Sequence, residues 1–302
     1  MIDAHVHLYD NATVPYGIFA HRDPTFETLV GDYSALPTTY TLADYRRTTA
    51  TRPVDGIVWH EFIADDHQRE IRWAQQLAYD SDLPMALVGL ADFADPQLDQ
   101  RLELLDSLPN VTAVRQHLAW DQADPLRRMA ARPDYLTDPV WLAGLGRLQT
   151  TDLRCGLEVF SPQLRELAHV VRRHPDIGFT IAVLGWPSGL DDQSRVRWRE
   201  DLAVLSRCDN TVISISAVEC IFGLDWTEDF VAGWISTVVE LFGVERCMFG
   251  SHLPISDLSY GFERLYALYD RVLAGCTETE RDAAYDTTAR RWFQIPKADH
   301  AD

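Results

Sequence analysis

Residues 153–184 read LRCGLEVFSPQLRELAHVVRRHPDIGFTIAVL, and the fold is legible in this stretch. Residues 153–159 and 178–184 are short apolar runs of strand length. Between them, residues 162–174 place Leu164, Leu167, Val170 and Val171 on one helical face. The same alternation extends outward in both directions. Further strand-like runs occupy residues 2–7, 55–60, 85–91 and 111–117 upstream, and 211–217 and 246–251 downstream. Residues 194–207 offer another helix, with Val196, Leu202 and Leu205 on one face. Eight near-continuous apolar strands, each followed by helical spacing, predict a (β/α)8 TIM barrel, an α/β fold in one domain over residues 1–302. The longest stretch without a strand, residues 8–52, carries Tyr16, Phe19, His21 and Tyr33 and is expected to cover the barrel mouth as a lid.

The 302 residues hold 46 Asp plus Glu against 27 Lys plus Arg, a formal charge of −19. Nucleic acid and anionic membranes are therefore not expected partners, because phosphate binding depends on neutralising cations. Five scattered cysteines without a CxxC pair predict neither a disulfide framework nor a cysteine zinc cluster. The opening MIDAHVHLYD has no basic n-region, and no run of ~18 apolar residues occurs, so a cytoplasmic protein is expected. The one lysine, Lys297, lies in the polar C-terminal segment, which argues against a Schiff-base mechanism.

Catalytic groups of such a barrel project from the C-terminal ends of its strands. The first strand ends in DAHVH, with Asp3, His5 and His7 at i, i+2 and i+4. Alternation sends His5 and His7 the same way, into the barrel, where two imidazoles can chelate one divalent metal. A hydrogen-bonded pair of core histidines is the plainer reading of the same residues.

Motifs in register along nearly the whole chain carry a resemblance: DAHVHLYD (3–10), VGLADFADP (88–96), VTAVRQHLAW (111–120), LEVFSPQL (157–164), LGWP (184–187) and RCMFGSHLPIS (246–256). They resemble the amidohydrolase superfamily, and more closely its amidohydrolase-related branch, which includes TIM-barrel lactonases. The resemblance implies a distorted barrel, water-driven opening of a lactone, ester or amide, and a zinc that some members bind and others do without. It also marks departures. Where the family commonly has an Asp-His or Asn-His pair on the sixth strand, this chain has Ala182 and Val183. Ser214 stands where a Lys is common, Gly156 where an Asp is, and His252 where Asp or Asn is usual on the eighth strand.

Imidazole can replace carboxylate as general base, so His252 is the expected water-activating group. Strand eight closes against strand one, which brings His252 towards His5 and His7 and makes those three the candidate zinc ligands. The first expectation is a site without cofactor, with that zinc site as the alternative. Arg115 and His117 share a face; Arg115 suits a substrate carboxylate or developing oxyanion, and the family also has Arg there. His117 or Glu158 would protonate the leaving group, although a salt bridge between Glu158 and Arg115 is an equal reading. Trp59, His60, Ser214, Ser216, Trp186, Trp226 and Tyr16 are candidate substrate contacts. Trp59, Trp120, Trp186, Trp226 and Tyr16 together would form a wall for an aromatic substrate. Glu219 reads as part of a solvated loop, and His67, His169, His174 and His300 as surface residues.

The expected activity is hydrolysis of a small, aromatic or carboxylate-bearing lactone, ester or amide. The altered positions leave open a metal-free member working by proton transfer, through elimination, cyclisation, isomerisation or decarboxylation, or a non-catalytic binding barrel. A homodimer is compatible with the apolar outer helices.

Overall fold

The computed structural model describes residues 1–297; His300 lies outside the described residues. Its main sheet has eight strands: β1 Ile2–Val6, β2 Gly56–His60, β3 Met85–Leu90, β4 Val111–His117, β5 Arg154–Glu158, β6 Phe179–Ile181, β7 Thr211–Ile215 and β8 Cys247–Phe249. They run in sequence order, every neighbour parallel, with helices between them. This is the predicted TIM barrel. β2 and β4 reach the ends of their apolar runs, whereas the other six strands stop short, the last residues of those runs leaving the ladder to build the mouth.

The barrel closes where β8 runs out beside β1. Val6 bridges Leu253, His7 N–H donates to Leu253 O at 2.8 Å, and His252 N–H donates to His5 O at 2.8 Å. The approach is close enough that a Cβ at Gly250 would lie 2.6 Å from His5 N, so only glycine fits there. Asp3 fastens the same seam, accepting from Ser251 N–H at 2.7 Å and Tyr45 Oη–H at 2.9 Å. Burial pushes its carboxyl up to about 6 despite those hydrogen bonds.

Alternating side chains divide the apolar residues into two sets. Ile2, Ala4, Val58, Ala86, Val88, Ala113, Val212 and Met248 form the small cluster inside the barrel, with Phe293 and Ile295 packed among them. Ile57, Trp59, Leu87, Val114 and Leu157 belong to the large cluster between strands and helices. Strict alternation after Ile2 and Ala4 would turn His5 outward. A register shift between Asp3 and Val6 turns His5 and His7 inward instead and leaves Asp3 on the helix side.

The helices follow ordinary rules. Leu164–Arg173 buries the predicted Leu164, Leu167, Val170 and Val171. Asp192–Leu205 differs from expectation: Val196 is exposed, and Trp198 joins Leu202 and Leu205 in the core. Within residues 8–52, Tyr9–Asp10 pairs antiparallel with Thr39–Tyr40, and Pro24–Val30 starts with proline at N1 and an Asp23 cap on Phe26 N–H. Among the described residues, no helix is long and apolar enough to cross a membrane.

Candidate active site

A cavity of about 670 Å³ opens at the C-terminal ends of the strands. His5, His7, Arg115, His117, Glu158 and His252 line its floor, and Ile18, Phe26, Leu29 and Val30 of the 8–52 insert form an apolar wall.

Three histidines meet at one side. Ring centroids lie 4.9 Å apart for His5 and His7, 4.6 Å for His5 and His252, and 5.1 Å for His7 and His252. One ring nitrogen of each lies within 4.8 Å of the others. Every Nδ1 has its own partner: Ser216 Oγ at 2.8 Å for His5, the His60 carbonyl at 3.0 Å for His7, and the Glu219 carboxylate for His252. Ser216 continues to Ser214 Oγ at 3.0 Å. With Nδ1 as the donor in each ring, the three Nε2 lone pairs are left for the cavity, and buried His5 Nε2 has no partner among the described residues.

Burial and the neighbouring imidazoles hold the His5 pKa well below the usual histidine range; burial, then His252 and Arg115, does the same for His7. Neutral rings with one nitrogen fixed by a carbonyl, hydroxyl or carboxylate are what a divalent metal requires of histidine ligands. The donor set therefore fits a metal such as zinc. His252 also has φ of +61°, a strained conformation for a residue with a Cβ, held by its backbone bond to His5.

The opposite side is a closed network of four charges. Arg115 donates from Nε to Glu61 Oε1 at 2.8 Å, from Nη1 to Glu158 Oε1 at 2.8 Å, and from Nη2 to the Glu61 carbonyl at 2.8 Å. His117 joins the same acids, Nδ1 to Glu158 Oε2 at 2.8 Å and Nε2 to Glu61 Oε1 at 3.1 Å. Burial would lower the His117 pKa, but the two carboxylates override it and raise it to about 9. Burial would raise Glu158, yet His117 and Arg115 hold it at about 2. Two cations and two anions thus balance inside the barrel.

A sequence model of the family described as amidohydrolase matches residues 2–295. The chain belongs to the amidohydrolase family. It is 26% identical over 242 residues to L-fucono-1,5-lactonase of Burkholderia multivorans, covering 76% of this chain and 77% of the relative. Among solved structures, a zinc-bound amidohydrolase from Burkholderia multivorans matches with a TM-score of 0.81 and 22% identity, covering 98% of this chain and 99% of that one. A protein from Acinetobacter baumannii, named for 2-pyrone-4,6-dicarboxylic acid hydrolysis and solved with citric acid, matches at 0.69 and 12%, covering 97% and 99%. At these identities the two structures speak to the fold.

In this amidohydrolase several expected contacts lie elsewhere. Trp59 is fully buried on the helix side of β2, its indole N–H donating to Leu8 O at 2.8 Å, because it shares parity with Ile57 and not with Val58. Tyr16 is buried against Tyr9, Phe19 and Phe62, with its hydroxyl on Glu70 at 3.1 Å. Trp226 packs edge-on against Tyr260 at 4.5 Å. Of the proposed aromatic wall, Trp186 alone lines the large cavity, joined by Phe26 and Phe62. Ser214 and His60 line a small interior space of about 20 Å³ beneath His5, and Ser216 sits behind His5. Arg115 makes the salt bridge to Glu158 that stood as the equal reading, with a second one to Glu61, and His117 and Glu158 have their polar atoms spent on the network. Glu219 is no solvated loop residue: it is 2% exposed, on the short helix Val218–Phe222 directly after β7, and faces His252. An acid just beyond a strand end, close to a barrel histidine in the closed order, was the available signal.

Proposed function

We propose that this amidohydrolase hydrolyses a small lactone or ester at the three-histidine face. The observation that carries the reading is that His5, His7 and His252 converge on one cavity with each Nδ1 already occupied. Glu219 is a positioning residue that holds His252 in the tautomer whose Nε2 lone pair faces the cavity. That form suits both ligating an ion and accepting the proton of an attacking water.

A divalent ion held by His5, His7 and His252 would polarise the scissile carbonyl and make bound water more acidic. In the chain's own chemistry, His252 Nε2 takes a proton as water oxygen bonds to the acyl carbon. The acyl C–O bond then breaks, and the same proton passes to the departing oxygen. The apolar insert wall excludes bulk water from the reacting carbonyl.

The test is turnover of a lactone panel in ¹⁸O-labelled water. One labelled oxygen per turnover in the new carboxylate is expected; product lacking the label, as from elimination or decarboxylation, overturns the reading. Elemental mass spectrometry of protein purified without chelators, beside His5→Ala and His252→Ala, assigns the His252 role. About one ion per chain, lost in both variants, makes it a ligand; less than about a tenth makes it the base.

A further inference from the structure

The cavity's charged groups differ in whether a partner neutralises them. Arg115 and His117 are matched by Glu61 and Glu158. Arg22, at the rim, is paired with Glu27 and Asp32. The acids Asp23 and Asp65 are turned onto backbone amides, Asp23 Oδ1 accepting from Phe26 N–H at 2.8 Å and Asp65 Oδ1 from Gly17 N–H at 3.0 Å. Arg128 lines the same cavity and, among the described residues, has no carboxylate within salt-bridge distance.

Arg128 is nonetheless fixed. Its Nε donates to the Asp121 carbonyl at 2.9 Å and its Nη2 to the Gln122 carbonyl at 2.9 Å. The guanidinium lies over the Trp120 ring, 4.7 Å from the centroid. An antiparallel bridge pairs Trp120 with Arg128, and Met129 N–H donates to Ala119 O at 3.0 Å, so the backbone beneath it is pinned as well. Neutral carbonyls and an aromatic face hold the side chain without cancelling its charge, and among the described residues the Nη1 hydrogens and one on Nη2 are left over. A planar cation prepared in this way is suited to a carboxylate, which it can meet with two parallel N–H···O bonds. In a chain of charge −19, a cation so placed gives the cavity wall a local attraction for an anion.

We propose that Arg128 anchors a free carboxylate of the substrate, so that the substrate class is a small lactone or ester bearing a carboxylate away from the bond that breaks. This rests on the hydrolase reading for the identity of that bond, but not for the anchor itself. The task that the sequence assigns to Arg115 thereby passes to Arg128, because Arg115 is already neutralised.

The test uses a probe that cannot be hydrolysed. Isothermal titration calorimetry measures glutarate, and its uncharged analogue glutaramide, against the whole chain and against Arg128→Gln and Arg128→Lys. Glutarate is expected to bind the unaltered chain and to bind Arg128→Gln about ten- to a hundredfold more weakly, with Arg128→Lys between them. Glutaramide is expected to bind neither the unaltered chain nor Arg128→Gln appreciably. Glutarate binding within about twofold in Arg128→Gln, no glutarate binding by the unaltered chain, or equal binding of glutaramide overturns the anchor. No bond breaks in this measurement, so its failure leaves the hydrolase reading standing, and failure of the ¹⁸O test leaves the anchor standing.

Discussion

Two histidine-bearing regions face each other across one cavity, and the same side chain is driven in opposite directions. His5 and His7 sit among imidazoles, where burial and like neighbours keep the rings neutral. His117 sits between Glu158 and Glu61, which hold it as a cation up to about 9. The first region has lone pairs to spare and an unpartnered His5 Nε2; the second has spent its hydrogen bonds on itself. Saturated charge networks contribute shape and field, whereas unspent donors and acceptors are what a reaction can use. Loss of a group on the histidine side should therefore cost rate, and loss of one on the network side should cost stability.

The largest effect is expected from His252→Asn, which removes the group proposed to receive the proton. Its kcat should fall on the order of a thousandfold, with a chemical-denaturation midpoint close to that of the unaltered chain. Glu219→Gln should fall less, on the order of ten- to a hundredfold, and should shift the kcat pH profile, as a positioning role requires. A His252→Asn variant that unfolds more readily but retains turnover would reverse the assignment of the two regions.

Next comes the network itself. Glu158→Gln leaves Arg115 and His117 short of one carboxylate in a buried site, a change that should cost about 3–5 kcal/mol in urea unfolding. If Glu158→Gln instead loses turnover at unchanged stability, the network takes part in chemistry and the contrast fails.

How much of this was legible in the sequence follows from how local each feature is. The barrel was legible because each strand is buried on both faces and reads as an apolar run. His5 and His7 were legible as a pair by spacing, although it is the register shift between Asp3 and Val6 that turns them inward, and His252 was legible because barrel closure brings the eighth strand beside the first. Trp59 was misplaced because one residue of register decides between cavity and helix layer, and the length of an apolar run does not report register. The Arg115–Glu158 pair was legible because β4 and β5 are neighbours, whereas the second acid on Arg115, Glu61, was not, since it lies at the end of a strand two positions away in the barrel. The tautomers of the three histidines depend on Ser216, the His60 carbonyl and Glu219, contributed by three different places in the chain. Arg128 gave no sequence signal, since being uncancelled is a property of its surroundings.

A smaller expected effect is the pH dependence of the network. The folded pKa of His117, about 9, lies above its usual 6.5, so its contribution is full below 6.5 and is lost as pH rises through 9. Glu158, at about 2 against its usual 4.5, contributes fully above 4.5 and loses that contribution as pH falls through 2. Network stability should therefore be greatest between about 4.5 and 6.5. Of the alkaline loss, on the order of 3 kcal/mol should disappear in His117→Asn. Urea midpoints across this range that run parallel in the two proteins would mean that His117 does not hold its proton in the folded chain.

The smallest effect separates the helix side of β2 from the cavity side. Trp59→Phe removes the bond to the Leu8 carbonyl and part of a fully buried ring, so urea unfolding should show a loss of about 1–2 kcal/mol. KM should stay within about twofold, because the ring lies behind the strand and no substrate can touch it. A tenfold rise in KM at unchanged stability would put Trp59 in the cavity after all. Inverted parity along β2 would then move His60 to the helix side, and the carbonyl that fixes His7 would have to be found elsewhere. The residue with the least to do in the chemistry thus gives a sensitive check on the register that the histidine face depends on.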